Sequence, residues 1–502
     1  MCAIVGVINS EGAAKTAYYG LFAMQHRGQE ASGISSSFNH HIKTIKATGL
    51  VTEVFSPASF EILKGNIAIG HNRYGTAGAD SLKDAQPVAG NYALGEISIV
   101  HNGNLINKDE IRRKLVSEGA IFQSGMDTEN ILHLIARSKQ EHLKDRIVEA
   151  LNQCVGAYSL LILSRSKMFA VRDRYGVRPL SIGRLKDGGY IVASETFAFD
   201  LVGAEFVRDV KPGEMVIFEE GKDEFSSVQI LKAAEARICA FEYIYFARPD
   251  SVVEGKNVYE VRKKLGAALA RKCKELKADL VVPVPDSGVP AALGFAQESK
   301  IPFEMAIVRN HYIGRTFIEP TQEVRNLKVK LKLNPIGAAL HGKSVAVIDD
   351  SIVRGTTLKQ SIVSILDRLH PKKIVVVSSS PQIRYPDYYG IDMSSMGEFI
   401  AFRMAIELLI SRGMEHVIID TYNKAKQQQG QPEDSIVNCV KDIYAPFTDE
   451  DISDKMAQML SGEDIHADIE IVFQTLDGLH EACPDHPGDW YFSGDYPTPG
   501  GT

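Results

Sequence analysis

The sequence has little that would place the protein in a membrane, outside the cell or on a nucleic acid. It contains no apolar segment long enough to span a bilayer, and its N-terminus lacks the basic segment and apolar stretch of a signal peptide. Its six cysteines are scattered without the spacing of a disulfide scaffold. The formal net charge of -7 disfavours a general nucleic-acid binder but allows a local basic pocket for a phosphorylated substrate. We therefore predict a cytoplasmic protein with small-molecule partners, no nucleic acid and no membrane.

The 502 residues suffice for two or three domains, and the 44% of hydrophobic and 24% of charged residues are typical of a globular chain. In the first part, apolar runs between Gly-rich connections predict strands at residues 3–8, 67–71, 97–101, 158–163 and 190–194. Residues 108–118 and 128–138 have a helical pattern, so this part is predicted to be a layered α/β or α+β domain. The charged stretch 232–237 ends it, and we place the domains at residues 2–235 and 236–502.

The second part alternates helices with buried strands. Helices are predicted at residues 261–276, 290–299 and 357–369, and strands at residues 280–285, 344–348 and 374–378. This alternation predicts a parallel, doubly wound sheet. The polar run 424–433, with three consecutive Gln, is interpreted as an exposed linker or insertion, and we find no internal repeat.

Cys2 follows Met1 directly and opens an apolar run. If Met1 is removed, one residue carries both a thiol and an α-amine whose reference pKa is about 7.7 to 8.0. Such an amine can take the thiol proton, directly or through a water, and leave a nucleophilic thiolate. The alternative is that Cys2 is an accident of a buried first strand.

The most specific string in the second part is residues 344–357, an apolar strand that ends in Asp349 and Asp350 and is followed by a Gly-Thr-Thr turn. Backbone N–H groups at a helix start, with Thr hydroxyls, can hold a phosphate. Acids beyond the carboxyl end of a strand can hold ribose hydroxyls or a hydrated Mg²⁺. The alternative is that both acids merely cap the helix.

This string closely resembles the phosphoribosyl diphosphate motif of the type I phosphoribosyltransferases. The resemblance places Thr356 and Thr357 at the 5'-phosphate, and Asp349 and Asp350 at the ribose hydroxyls and the metal. It adds one metal-loop residue, Ser287, and five further ligand-binding residues: Ser351, Arg354, Gly355 and, in a segment similar to the family's flexible flap, Tyr312 and Arg315.

Four segments of the first part, at residues 25–33, 70–78, 101–105 and 125–129, carry further candidates. Arg73 suits the α-carboxylate of glutamine and Asp127 its α-ammonium, while Asn102 and the N–H of Gly103 can form an oxyanion hole. Any single segment could be an ordinary Gly turn. Together with Cys2 they resemble the glutaminase domain of the N-terminal-nucleophile amidotransferases, which adds Arg27, Gly28 and Thr76 to the predicted glutamine-binding residues.

The two parts, joined by residues 239–251, resemble the amidophosphoribosyltransferase family over roughly residues 2–400. The resemblance implies an α+β, four-layer N-terminal-nucleophile domain followed by an α/β phosphoribosyltransferase domain with a doubly wound parallel sheet. It implies the first committed step of purine synthesis, in which phosphoribosyl diphosphate, glutamine and water give 5-phosphoribosylamine, diphosphate and glutamate. It also implies Mg²⁺, a sequestered path for ammonia, a homotetramer and feedback by AMP and GMP.

Two regions depart from the family. Relatives that hold an iron-sulfur cluster have four cysteines at positions that match Cys239, Asp387, Cys483 and His486 here, so we expect no four-thiolate cluster. These four residue types are all competent zinc ligands, and the alternatives are a zinc site or relic residues in an apolar interface. Residues 403–482 match the family poorly, and their role stays open.

The sequence disfavours two other functions. Another amidotransferase with the same glutaminase half is disfavoured by the string 349–357, because such enzymes need a sugar-isomerase or ATP-pyrophosphatase module instead. A non-catalytic nucleotide sensor on a phosphoribosyltransferase fold has no use for Cys2, Arg73, Asn102 and Asp127.

Overall fold

The computed structural model describes residues 1–75, 82–310, 333–355, 358–432, 435–462, 464–485 and 488–498, without the side chains of residues 360 and 361. No helix among these residues is long and apolar enough to cross a membrane.

The first half contains two antiparallel sheets. The strands are β1 (Ala3–Ile8), β2 (Ala31–Phe38), β3 (His41–Thr48), β4 (Ile67–Arg73), β5 (Val88–Tyr92), β6 (Gly95–Leu105), β7 (Gly156–Leu163), β8 (Lys167–Arg172), β9 (Ser181–Arg184), β10 (Tyr190–Ala193), β11 (Glu205–Asp209), β12 (Glu214–Glu219) and β13 (Ser226–Gln229). The first sheet has the order β11-β9-β10-β1-β4-β2-β3, and the second has the order β13-β12-β8-β7-β6-β5. The N-terminal strand therefore lies in the middle of the first sheet.

Helices cover the outer faces of both sheets. They are α1 (Ala13–Ala23), α2 (Val51–Val54), α3 (Pro57–Ile62), α4 (Lys108–Ser117), α5 (Asp127–Arg137), α6 (Leu143–Leu151) and α7 (Phe197–Val202). Val5 and Val7 of β1 pack towards α1, whereas Ile4 and Ile8 pack between the two sheets. Because both faces of β1 are buried, its sequence is a continuous apolar run rather than an alternating one. The four layers are helix, sheet, sheet and helix.

The strands of the second half are β14 (Val252–Val253), β15 (Lys256–Asn257), β16 (Leu280–Pro283), β17 (Ile307–Arg309), β18 (Leu333–Pro335), β19 (Ser344–Asp349), β20 (Lys373–Ser378) and β21 (Asp468–Phe473). Four of them form the parallel sheet on which this half is built, in the order β16-β19-β20-β21. Its helices are α8 (Val258–Lys272), α9 (Val289–Ser299), α10 (Gly337–Leu340), α11 (Ser364–Asp367), α12 (Ile400–Ser411), α13 (Glu415–Gln427), α14 (Lys441–Tyr444), α15 (Asp449–Leu460), α16 (Leu476–Ala482) and α17 (Trp490–Ser493).

Both faces of the parallel sheet are covered. Leu269 of α8 and Phe295 of α9 pack on one face, and Met404 of α12 and Met456 of α15 belong to the core on the other. The predicted fold class, including the doubly wound sheet, is thereby confirmed. The boundary near residue 235 stays a prediction.

The C-terminal region differs from the sequence-based expectation. The first residues of the supposed linker 424–433 belong to α13, because Lys, Ala and Gln are good helix formers even where no apolar face marks a helix. The poorly matching region 403–482 supplies β21, the fourth strand of the parallel sheet. The region predicted as one helix at 357–369 contains a π-helical turn (Leu358–Val363) before α11.

Candidate active sites

Cys2 lies at the start of β1, directly against the second sheet. Its backbone N–H donates to Oδ1 of Asn102 on β6 over 3.1 Å. The Nδ2 group of Asn102 is buried and has no hydrogen-bond partner in the described part of the chain. Since buried amide donors are rarely left unpaired, this group is available to a ligand oxygen beside the Cys2 thiol.

Gly103 is next to Asn102 and has a φ of +150°. A Cβ atom at this position would lie 2.1 Å from the carbonyl oxygen of Ala157. Only glycine therefore fits here, and the two predicted oxyanion-hole residues are held side by side at the end of β6.

Arg73, the last residue of β4, is almost fully buried. Its Nη2 lies 3.4 Å from Oδ2 of Asp84, while its Nη1 has no hydrogen-bond partner among the described residues. The guanidinium is thus held by the carboxylate of Asp84 and keeps a free N–H donor for a second carboxylate, that of a ligand. Asp84 was not predicted, because no motif marks it.

Asp127 is the first residue of α5. Its Oδ1 lies 3.3 Å from Nδ1 of His101, and its Oδ2 accepts the N–H of Leu105 over 2.8 Å. Burial would raise the pKa of Asp127, but the His101 ring and the hydrogen bonds outweigh it and hold that pKa below its ordinary value. The carboxylate is therefore ionised, as binding of an ammonium group requires. The role of His101 was also not predicted.

Arg27 requires a correction. It was predicted to bind glutamine, but its side chain is completely buried. Nε donates to the carbonyl of Cys2 over 3.0 Å, Nη1 donates to Glu195 and Glu242 over 2.7 and 2.9 Å, and Nη2 donates to Glu242 over 2.8 Å. With these donors committed within the chain, the buried Arg27 side chain holds the backbone of Cys2.

Gly28 has a structural role that the sequence did not show. A Cβ here would lie 2.5 Å from the carbonyl carbon of Arg73, so glycine permits the chain to pass directly over the end of β4.

The second candidate site lies where β16 and β19 end. These strands are parallel neighbours, so the loop after β16 meets Asp349 and Asp350 at one edge of the sheet. The hydroxyl of Ser287 donates to Oδ2 of Asp350, and the hydroxyl of Ser351 donates to Oδ1 over 2.7 Å. The loop approaches closely because a Cβ at Gly288 would lie 2.4 Å from the backbone of β19.

The two acids are a closely spaced pair. Enclosure by the protein raises the pKa of both, and repulsion from Asp350 raises that of Asp349 further. At Asp350 the positive charge of Arg262 and two hydroxyl groups oppose this rise without cancelling it. Two carboxylates beside a hydroxyl are the oxygen donors that Mg²⁺ prefers when a substrate's oxygens complete its coordination, so the donor set fits this ion.

Two further residues of the string are in place beside the acids. Gly355 has a φ of +74°, and a Cβ there would lie 2.4 Å from the Ile400 side chain. Nη2 of Arg354 pairs with Glu398 at 2.6 Å and lies 3.8 Å from Asp392, and ligand binding by Arg354 stays a prediction. The remaining predicted residues lie outside the described residues: Thr76, Tyr312, Arg315, Thr356, Thr357 and His486.

Two of the positions matched to cluster ligands, Asp387 and Cys239, have their polar atoms engaged within the chain. Both oxygens of Asp387 accept hydrogen bonds within the chain, from the N–H groups of Tyr389 and Ile391 and from the side chains of Trp490 and Tyr491. The thiol of Cys239 lies 3.1 Å from the Tyr491 hydroxyl. Among the described residues, no group of three or more His, Cys, Asp or Glu side chains could hold a metal ion.

Known proteins resemble this chain over most of its length. A family model for a glutamine amidotransferase domain matches residues 71–200. An amidophosphoribosyltransferase of Rhizobium etli is 46% identical over 408 residues, which are 80% of this chain and 82% of that protein. The chloroplastic amidophosphoribosyltransferase 1 of Arabidopsis thaliana is 42% identical over 449 residues, which are 89% of this chain and 78% of that protein.

A solved structure supports the same assignment. The glutamine phosphoribosylpyrophosphate amidotransferase of B. subtilis, complexed with ADP and GMP, has a TM-score of 0.81 and 36% identity and covers 99% of this chain and 97% of its own. The predicted family and reaction are thereby confirmed. The chain belongs to the amidophosphoribosyltransferase family.

Proposed function

We propose that this enzyme of purine biosynthesis forms 5-phosphoribosylamine with Cys2 as its nucleophile, Asn102 and Gly103 as its oxyanion hole, and Asp349 and Asp350 at the phosphoribosyl site. One observation carries the proposal: Asn102 binds the backbone of Cys2 and leaves a buried Nδ2 donor free beside it.

The first half-reaction releases ammonia. The Cys2 thiolate attacks the amide carbon of glutamine, and the Asn102 Nδ2 and the Gly103 N–H bind the oxygen that becomes negative. The α-ammonium group of Cys2, which has taken the thiol proton, returns that proton to the amide nitrogen, and collapse of the intermediate then expels ammonia and leaves a glutamyl thioester. Water cleaves the thioester to glutamate and the free thiol. Arg73 and Asp127 hold the α-carboxylate and α-ammonium of the substrate, and Gly28 and Thr76 complete this pocket.

The second half-reaction forms the C–N bond. The nitrogen lone pair of ammonia attacks the anomeric carbon while the bond to diphosphate breaks. Asp349 and Asp350 bind the ribose hydroxyls, and Ser287 orients Asp350. Ser287, Asp349 and Asp350 would hold Mg²⁺ together with the substrate, and the ion would supply positive charge that stabilises the departing diphosphate.

Ammonia must cross between the sites before it is protonated, since ammonium has no lone pair. A buried apolar cluster reaches both sites: Ala157, which lies against Gly103, belongs to it with Tyr389, Ile391 and Phe399, and Val353 of the phosphoribosyl site packs against it. Such a cluster excludes water, which supports a sequestered path.

Regulation and assembly are part of the proposal. The B. subtilis relative binds ADP and GMP, which supports purine nucleotides as inhibitors of this enzyme. By family resemblance we propose a homotetramer, and the cytoplasm as its location. An inhibition assay with each nucleotide, and light scattering of the purified protein, would test these points.

The central experiment replaces the nucleophile. Cys2→Ala is expected to abolish glutamine-dependent synthesis and to leave synthesis from high ammonia intact, while the control Cys483→Ser, a buried thiol elsewhere, retains both. Full glutamine-dependent activity of Cys2→Ala would refute the mechanism. The intact mass of the wild-type protein must show loss of Met1, because a retained Met1 would refute the role of the free amine.

A further inference from the structure

The residue that stands at a cluster-ligand position, Asp387, organises a turn that packs on the proposed oxyanion hole. Its Oδ2 accepts the N–H groups of Tyr389 and Ile391 over 3.0 and 2.6 Å and so closes residues 387–391 into what we call the Asp387 turn. The carboxylate is 2% exposed, so these hydrogen bonds are shielded from water.

The Asp387 turn touches the end of β6 at two points. The carbonyl of Tyr388 accepts a hydrogen bond from Nδ2 of Asn104 over 2.8 Å. A Cβ at Gly390, whose φ is +107°, would lie 2.9 Å from the carbonyl oxygen of Gly103. The turn therefore fixes the two residues that follow Asn102 in β6.

A second connection runs through buried charges. Nη2 of Arg178 lies 3.8 Å from Oδ2 of Asp387 and donates to the carbonyl of Tyr389 over 2.7 Å. Nη1 of Arg178 lies 3.9 Å from Glu242, which in turn binds Arg27. Since Arg27 binds the carbonyl of Cys2, charges of alternating sign link Asp387 to the nucleophile.

We propose that Asp387, which occupies the position of a cluster ligand in relatives, is a positioning residue for the glutaminase site. It supports this site from the other half of the chain. It acts through the Asp387 turn on Gly103 and through Arg178, Glu242 and Arg27 on Cys2. This inference rests on the proposed roles of Cys2, Asn102 and Gly103.

The chemistry of the surroundings demands a carboxylate. Oδ1 accepts from the indole N–H of Trp490 over 3.1 Å and from the hydroxyl of Tyr491 over 2.9 Å. An asparagine at this position could place its NH2 group in either of two orientations. In one orientation the NH2 group faces the Trp490 N–H, which cannot accept a hydrogen bond, and in the other it faces the backbone N–H groups of Tyr389 and Ile391. Either arrangement leaves buried donors facing each other and shifts the turn.

The test compares the two activities of the full-length enzyme. Asp387→Asn is expected to lower kcat of glutamine-dependent synthesis on the order of tenfold, because a displacement of the oxyanion hole misaligns the reacting atoms. The ammonia-dependent rate should change less than about twofold, because the hydrogen bonds of Asp387 reach neither Asp349 nor Asp350. The matched control is Asp367→Asn, an equally buried acid of the second half that accepts the N–H of Ala467 and should leave the ratio of the two activities unchanged.

A chemical readout separates positioning from general loosening of the structure. Two reagents that react with Cys2 are compared: a diazoketone analogue of glutamine, whose reaction needs the oxyanion hole, and iodoacetamide, whose reaction does not. Asp387→Asn should slow inactivation by the diazoketone more than it slows alkylation by iodoacetamide. If Asp387→Asn fails to fold, Tyr491→Phe removes one donor to Asp387 and should give the same selective loss, about threefold.

Equal loss of both activities, or no loss, would overturn the inference, and so would stoichiometric zinc or iron in the purified wild-type protein. These results differ from failure of the proposed function, which would show as full glutamine-dependent activity of Cys2→Ala.

Discussion

The two sites differ in how their charges are balanced. At the glutaminase site Arg27 lies between Glu195 and Glu242, and Asp127 faces His101. At the phosphoribosyl site Asp349 and Asp350 accept hydrogen bonds from hydroxyl and amide groups, and their pKa values are raised. The first site is preorganised by the chain itself, whereas the proposed function leaves the second to be completed by a cation and a phosphorylated substrate.

The largest effect should come from breaking the preorganised site alone. Asn102→Ala removes the free Nδ2 donor and is expected to lower kcat of the glutamine-dependent reaction by about two to three orders of magnitude. Steady-state kinetics with glutamine and with ammonia would measure it. Asn130→Ala, which removes a buried amide bound to the carbonyl of Lys108, serves as the control. An equal loss with ammonia would show that the two sites are not separable.

A smaller effect, shared by both activities, is expected at the other site. Asp350→Asn removes one charge of the acidic pair and should lower glutamine-dependent and ammonia-dependent synthesis alike, by about a hundredfold, because the departing diphosphate loses part of its stabilisation. Titration of the rate with Mg²⁺ should show a weaker apparent affinity. A loss confined to the glutamine-dependent reaction would contradict this assignment.

The smallest effect concerns stability and pH. Burial lowers the pKa of His101, but Asp127 outweighs it and raises that pKa above 6.5, while the pKa of Asp127 lies below 3.8. The histidine therefore contributes stability below pH 6.5 that is lost as the pH rises through its folded pKa, and Asp127 contributes stability above pH 3.8 that is lost as the pH falls through its own.

Their pair is thus fully ionic between about pH 4 and pH 6.5. Urea unfolding should show that His101→Gln costs about 1 kcal/mol more at pH 5.5 than at pH 8.5. The exposed His416, replaced by Gln, should show no such difference. A cost that is independent of pH would mean that His101 acts only through packing.

Much of this organisation could be predicted from the sequence because it is local. Each predicted feature is contained in a few consecutive residues: the apolar run of β1, the acids at the end of β19 and the Asn102–Gly103 pair. The family's motifs then supplied their roles.

The roles of Arg27 and Asp387 could not be predicted, because they depend on contacts with residues that are distant in the chain. Glu195 and Glu242 lie 168 and 215 residues from Arg27, so nothing near Arg27 showed that its donors are occupied. Asp387 was matched to a metal position, and only the fold shows that four donors from two segments meet on its oxygens. The strand β21 does carry alternating apolar residues, but it lies in a region without family motifs.

The late position of β21 has a consequence for synthesis on the ribosome. Its neighbour β20 ends at Ser378, about 90 residues before β21 begins, so a growing chain carries an unpaired strand edge for about 5 to 20 s at ordinary elongation rates. Unpaired edges recruit other strands. Nascent or prematurely terminated chains that lack β21 should therefore aggregate, and translation speed through the C-terminal region should influence yield.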